Sequence, residues 1–258
     1  MSELLDLARA IAREAGGIAR DRFHDPRTIR TKTSEIDLVT DVDHALDRLI
    51  RERVRAARPH DALLTEESQA ESGSTGVRWV VDPLDGTTNY AHAFPHFAIS
   101  IGVEQDGARV AGVVYDPMRD ELFEAARGGG ARLNGKPIHV SEIAELRRAL
   151  LATGFAYDVH SRRTPNLAHF ERFIGTAQAI RRAGSAALDF AYVACGRFDG
   201  YWELHLAPWD VAAGILLVEE AGGRVTDFDG GPAPDTGARI VATNGRVHAA
   251  ALEVLNGG

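Results

Sequence analysis

The stretch Trp79-Val80-Val81-Asp82-Pro83-Leu84-Asp85-Gly86-Thr87-Thr88-Asn89-Tyr90 constrains this chain more than any other. Bulky and β-branched Trp79, Val80 and Val81 favour a packed, pleated surface and predict the end of a buried strand. Pro83 has no N–H to give a ladder, so the strand is expected to stop there, just after Asp82. Gly86-Thr87-Thr88-Asn89 reads as a tight turn opening a helix. Two carboxylates, the Leu84 carbonyl and two hydroxyls are thereby crowded at one strand mouth. Hard oxygen ligands at that density suit Mg2+. The free N–H groups of a helix start suit an anion, most naturally phosphate. An isolated Asp-x-x-Asp is usually a solvated turn. The apolar strand before this one and the Gly-Thr-Thr after it favour a site.

A chain of 258 residues can form one large or two modest domains with a sizeable core. Its net charge of −8 argues against the basic footprint of a nucleic-acid binder. An acidic protein repels a phosphate substrate, and bound divalent cations would resolve that locally. The one cysteine, Cys195, lies in the apolar run FAYVACG and is expected to pack; alone, it excludes an internal disulfide and a thiolate zinc cluster. No apolar run approaches the ~20 residues of a membrane span. Glu3, Asp6 and Glu14 do not fit a signal peptide. The expectation is a cytoplasmic protein without a membrane partner.

Leu4, Leu5, Ala8, Ile11, Ala12, Ala15, Ile18 and Ala19 recur at helical spacing and predict an amphipathic helix. Residues 24–36 read as a polar, mobile connection. Thr40 or Asp41 then caps a second helix with Val42, Ala45, Leu46, Leu49, Ile50 and Val54 on one face. Asp37, Asp41 and Asp43 gather at its start, where negative charge complements the helix dipole. Leu63–Ser68 is a short strand ending in Glu66 and Glu67, which a solvated loop would explain equally well. Phe97–Val103, Ala108–Tyr115 and Glu121–Ala125 are strands joined by short turns and so antiparallel. Gly128-Gly129-Gly130 lacks the companions of a phosphate loop and reads as a turn; His92 and His96 read as packing residues. From Ala149 strands and helices alternate: strands at Ala149–Thr153, Gly200–Glu203 and Ile240–Thr243, helices at Asn166–Ile174, Ser185–Cys195, Trp209–Ala221 and Arg246–Leu255. That alternation favours an α/β second half. The division expected is 1–147, α+β with an antiparallel sheet, and 148–258, α/β, with a ligand cleft where they meet.

The central stretch resembles the first signature of the inositol monophosphatase family, D-P-[LI]-D-G-T-[TS]-N, without a departure. Four further stretches resemble family motifs in the family's order: D-L-V-T-x-x-D ending at Asp43, E-E-S beginning at Glu66, Gly184-Ser185-Ala186-Ala187, and W-D-x-[AG]-[AG]-x-x-x-[LIV]-x-x-A-G-G beginning at Trp209. Asp41 is one extra acid within the first of these, and the wording around Ala152–Phe155 and Gly184–Asp189 looks like the bacterial members. The resemblance implies the layered αβαβα sandwich of the inositol monophosphatase and fructose-1,6-bisphosphatase type. It implies two or three Mg2+ per site, with Glu66, Asp82 and the Leu84 carbonyl on one ion and Asp82, Asp85 and Asp210 on another. Position alone would make Asp210 a helix cap. Asp43 and Thr87 would activate the attacking water and Glu66 would share in catalysis. The Gly86 and Thr87 amides would hold phosphate, while Asp85, Ser185, Ala186, Glu203 and Asp210 would face the substrate. The implied activity is Mg2+-dependent, lithium-sensitive hydrolysis of a small-molecule phosphate monoester, inositol 1-phosphate first, by a homodimer. Related substrates are fructose 1,6-bisphosphate, histidinol phosphate and 3′,5′-bisphosphate nucleotides. A protein-binding regulatory role with the site secondary is the alternative from another class.

Overall fold

The computed structural model describes residues 2–32, 35–156 and 166–257. In chain order its first part contains α1 (Ser2–Asp21), β1 (Ile29–Thr31), β2 (Leu38–Thr40), α2 (Asp41–Ala57), β3 (Ala62–Thr65), β4 (Val77–Asp85), α3 (Thr87–Ala91), β5 (Ala98–Gln105), β6 (Ala108–Asp116), β7 (Glu121–Ala126), β8 (Gly130–Leu133) and β9 (Lys136–Ile138). After a short 3-10 turn come β10 (Leu150–Thr153), α4 (Asn166–Ile174), β11 (Ala179–Arg181), α5 (Ala186–Ala194), β12 (Gly200–Leu204), α6 (Pro208–Glu220), β13 (Arg224–Thr226), β14 (Arg239–Thr243) and α7 (His248–Leu255).

Strands β3 to β9 form a seven-stranded sheet in sequence order. Only β3 and β4 run parallel; every other pair is antiparallel. A five-stranded sheet has the order β11-β10-β12-β14-β13, with β10 parallel to β11 and β12, and β14 antiparallel to β12 and β13. Strands β1 and β2 form a separate hairpin.

The side-chain pattern dictates how these sheets are covered. One apolar stripe of α1 (Ala8, Ile11, Ala15) and one of α2 (Leu46, Ile50) pack with Trp79, Ile99 and Ile101 on a face of the larger sheet. In the smaller sheet successive residues point to opposite faces. Tyr201, Ile240 and Ala242 enter a core with α5 and α6, while Trp202 and Val241 pack with Phe173 of α4 and Leu255 of α7. The layers are therefore α1/α2, large sheet, α5/α6, small sheet, α4/α7: the expected αβαβα sandwich. Because α6 lies between two sheets it is apolar around its whole circumference, which explains Val211–Val218 being buried without exception. It also lies unusually close to the large sheet. A Cβ on Gly102 would stand 2.6 Å from the Ala212 Cβ, and one on Gly112 2.9 Å from the Ala213 carbonyl oxygen.

Several local expectations change. Strand β4 does not stop at Pro83 but continues to Asp85. The connection at 24–36 contains β1, and residues 33 and 34 of it lie outside those described. Strands β8, β9, β11 and β13 add to those expected; each has three or four residues, too few to display an alternation. The Asn134-Gly135 turn between β8 and β9, with φ of 49° and 76°, is the primed-turn signal for a hairpin. His96 is buried as expected, whereas His92 is exposed and Cys195 half-buried. No helix among the described residues is long and apolar enough to cross a membrane.

The close seat of α6 gives a test. Gly102→Val adds a residue that strands favour, yet it must push α6 off the sheet, at a cost of about 1–3 kcal/mol. Thermal unfolding should shift down by ~2–4 °C for each kcal/mol lost. An unchanged or raised midpoint would contradict the packing.

Candidate active site

The continuation of β4 through Pro83 builds the site. On one side β3 pairs only as far as Val81; on the other, Asp82 pairs with Ser100 and Asp85 with Ala98. Pro83 and Leu84 thus face the single residue Ile99, a bulge that accommodates a residue without an N–H. In an unbroken strand, residues three apart point to opposite faces. The bulge resets that alternation, and carboxylate oxygens of Asp82, Asp85 and Asp210 all lie within 4.8 Å of one another. The Leu84 N–H donates to Asp82 Oδ1 at 2.9 Å, fixing the first carboxylate. Gly86 then turns the chain with φ 103°; a Cβ there would be 3.0 Å from the His96 carbonyl oxygen, so only glycine fits.

Thr87 opens α3, and its hydroxyl lies 2.7 Å from Asp43 Oδ1 and 3.1 Å from the Leu84 carbonyl oxygen. Asp43 is also the third residue of a capping box: its Oδ2 accepts the Thr40 N–H at 2.8 Å, and Thr40, not Asp41, is the cap. Helix capping and a place beside Thr87 therefore coexist in one carboxylate. Asp41 is held by Arg22 and by the Thr28 N–H.

Asp85 is gripped by the start of α5. Ser185 Oγ donates to its Oδ2, as does the Ala187 N–H at 2.8 Å, and the Ala186 N–H reaches Oδ1 at 3.3 Å. The polar groups expected to face a substrate at Ser185 and Ala186 are engaged instead in holding a carboxylate, at the helix end whose dipole favours one. Asp210 caps α6, its Oδ2 accepting the Ala207 N–H at 2.7 Å, and it joins the cluster as well. Glu66 follows β3, with its N–H on the Val81 carbonyl at 3.2 Å. Its carboxylate accepts from Lys32 Nζ at 2.7 Å, and Lys32 also bonds Glu67. The Glu67 side chain is buried beside it, 4% exposed. A cavity of about 340 Å³ brings Glu66, Asp82, Asp85, Thr87, Glu203 and Asp210 to one surface, along with Leu84, Gly86, Ser185 and Ala186. Asp43 stands behind Thr87.

Like charges this close are costly. Burial, then Glu66, Asp85 and Asp210, push the Asp82 carboxyl well above the usual range. Burial and Asp85 do the same to Asp210. Burial raises Asp85 to about 6 even against the Ser185 and Ala187 hydrogen bonds, and raises Glu203 to about 7. Burial also raises Asp43. No cationic side chain pairs with Asp82, Asp85 or Asp210 among the described residues. A divalent cation fits this cluster: the donors are hard oxygens, and its charge would relieve the repulsion.

The motifs missed Lys32, which follows Arg30 and Thr31 in the connection at 24–36 and carried no spacing signal. They also missed Asp189, an acid in the otherwise apolar α5 and on the cavity wall.

Five alternating layers with a buried acidic cluster at a strand end, facing a cleft, define a layered α/β protein with a candidate cation site. The chain belongs to the inositol monophosphatase family, whose model matches residues 1–257. It is 44% identical to the Nus factor SuhB of Escherichia coli over 254 residues, 98% of this chain and 95% of that one. It is 42% identical to the inositol-1-monophosphatase of Rhizobium meliloti over 251 residues, 96% of this chain and 94% of that one. The crystal structure of the extragenic suppressor protein suhB from Bartonella henselae superposes with a TM-score of 0.94 at 38% identity, covering 99% of each chain.

The shifted carboxyls give a pH test whose sign is fixed. A folded pKa raised from 3.8 to about 6 at Asp85 means the folded protein binds the extra proton. That contribution favours folding below pH ~4 and is lost as pH rises through 6. Buried His96 and His248, each lowered to about 4, act in the opposite sense, so the midpoint alone is ambiguous. The rise in unfolding midpoint on adding Mg2+ cancels the histidines. It should be larger at pH 7.5 than at pH 5, because the ligands must be ionised. An equal rise at both would place the ion elsewhere.

Proposed function

We propose that the protein is a Mg2+-dependent phosphate monoester hydrolase whose favoured substrate is inositol 1-phosphate. The observation that carries this is the convergence of Asp82, Asp85 and Asp210 within 4.8 Å, beside a Thr87–Asp43 hydrogen bond of 2.7 Å. Glu66, Asp82 and the Leu84 carbonyl would hold one ion, and Asp82, Asp85 and Asp210 another. Bound Mg2+ supplies positive charge to the phosphoryl and leaving oxygens and acidifies the attacking water.

The chain's own groups do the rest. The Thr87 hydroxyl, oriented by Asp43, can accept a water proton as it passes its own to the Asp43 carboxylate. Burial makes that carboxylate more basic than an ordinary aspartate, which brings it nearer the working pH of a general base. The Gly86 and Thr87 amides would hold phosphate oxygens, and Glu203 would accept a hydroxyl of the leaving group. Ser185 and Ala186 would serve the substrate by fixing Asp85. We also propose a division of the chain near residue 147, on the change from antiparallel strands to alternating strands and helices, and a homodimer, on the family pattern; a solution mass at the 27.9 kDa of one chain would contradict the dimer.

Phosphate release from inositol 1-phosphate should require Mg2+ and fall with lithium. Asp82→Asn should lower kcat by ~100-fold or more, since several kcal/mol of charge stabilisation is lost at ~1.4 kcal/mol per decade. It should not lower the unfolding midpoint of metal-free protein, because it removes a repelling charge. Parent-like turnover by that variant would overturn the ligand assignment. Turnover only on fructose 1,6-bisphosphate, histidinol phosphate or a 3′,5′-bisphosphate nucleotide would keep the chemistry and change the substrate. The Nus factor name of one relative favours a second reading, a protein-binding role with the site secondary. Inactivity on the whole panel, with a complex that survives chelation and Asp82→Asn, would support it.

A further inference from the structure

One residue of the cavity wall, Asp189, has no part in the hydrolysis as proposed above. Asp189 lines the cavity from α5 and is 1% exposed. Its Oδ1 is buried without a hydrogen-bond partner among the described residues. An unsatisfied buried carboxyl oxygen typically costs about 1–3 kcal/mol or more. The positive charge of Arg182, also on the cavity wall, opposes part of that cost, but α5 itself offers Oδ1 no polar partner among the described residues. The helix is capped by Ser185, whose Oγ accepts the Leu188 N–H at 3.3 Å, and the neighbours Ala187, Leu188, Phe190 and Ala191 are wholly buried and apolar. An alanine would suit this position better, unless something entering the cavity supplies the missing partner.

Glu203 on β12 lines the same cavity. The Tyr201 hydroxyl donates to its Oε2 at 2.5 Å, which among the described residues leaves Oε1 for another donor. Gly154 lies directly on that carboxylate: a Cβ there would be 2.1 Å from Oε1 and 2.2 Å from Oε2. Two buried carboxyls from different elements thus line one cavity. Burial, then Glu203 and Asp85, raise Asp189 well above the usual range, so it can donate a proton as well as accept one. Such a pair suits an alcohol carrying several hydroxyls, since each hydroxyl both donates and accepts.

Resting on the phosphatase reading, the geometry points to Asp189 as a substrate-binding residue that, with Glu203, takes neighbouring hydroxyls of a polyol leaving group. The site would then select phosphate monoesters of polyhydroxylated alcohols over those of apolar alcohols of the same size.

The test uses inositol 1-phosphate and cyclohexyl phosphate, which share a ring and differ in hydroxyls. The parent protein should prefer the former by on the order of 100-fold or more in kcat/KM, because polar groups built to bind hydroxyls reject an analogue lacking them. Asp189→Ala should raise KM for inositol 1-phosphate at least tenfold with kcat nearly unchanged, and leave cyclohexyl phosphate hydrolysis within twofold. Asp189→Asn, which still accepts and donates, should restore most of the loss. If Asp189→Ala does not fold, Asp189→Leu keeps the bulk and serves in its place. Equal losses on both esters would make Asp189 structural, and no loss on either would leave its oxygen to a trapped water; each result overturns the inference while the phosphatase reading stands. A parent protein active on cyclohexyl phosphate but not on inositol 1-phosphate also overturns it. Release of phosphate from no ester at all overturns the phosphatase reading itself.

Discussion

The grip of α5 on Asp85 is the interaction on which the site depends. Asp85 ends a strand of the large sheet, and Ser185, Ala186 and Ala187 begin a helix of the layer beneath it. Three donors and a helix dipole stabilise one buried carboxylate, and they lock the first half of the chain to the second at the point where the cavity opens. Gly86 and Gly184, both with positive φ, let the two backbones meet there; the Gly184 carbonyl lies within 3.3 Å of where a Gly86 Cβ would be. Position of the second half is thereby tied to position of the ligands, and Asp210 arrives on α6 from that same layer.

The cluster so assembled opposes folding as long as it has no cation. Burial raises Asp82, Asp85 and Asp210, the charge of Glu66 adds to all three and that of Asp85 to the other two, and no basic side chain pairs with them among the described residues. Their surroundings explain why the fold tolerates this. Each carboxylate accepts at least one backbone N–H, from Leu84, Ala187 or Ala207, so desolvation is partly offset. Lys32 takes up Glu66 and Glu67 at the rim but does not reach the centre. The result is a site pre-arranged for cations and held by rigid elements.

Much of this was legible in the sequence because it rests on local rules. The stripes of α1 and α2 follow a 3.6-residue period, Thr40 and Asp43 are spaced as a capping box, and the long strands β5 and β6 sit between unmistakable turns. The acids Glu66, Asp82, Asp85 and Asp210 sit in specific motifs; the last three converge, and Glu66 lines the same cavity. What could not be read depends on partners distant in the chain. Pro83 signals a strand end locally, but pairing with β5 carries β4 past it as a bulge. The expectation for Ser185 and Ala186 could not include Asp85, a hundred residues away. Asp189 looked like one polar residue in an apolar helix, and only the cavity wall shows where its carboxyl goes. The short strands β11 and β13 exist through their neighbours in the smaller sheet.

The central claim is that the Asp82–Asp85–Asp210 cluster is a cation site whose acids are held partly protonated until the ion arrives. Calorimetric titration of the metal-free protein with Mg2+ at pH 6, in two buffers of different ionisation enthalpy, counts the protons that leave. The account predicts net proton release on binding, and a smaller release with weaker binding in Asp82→Asn. Binding with the same heat in both buffers, or unaltered by that substitution, would contradict it.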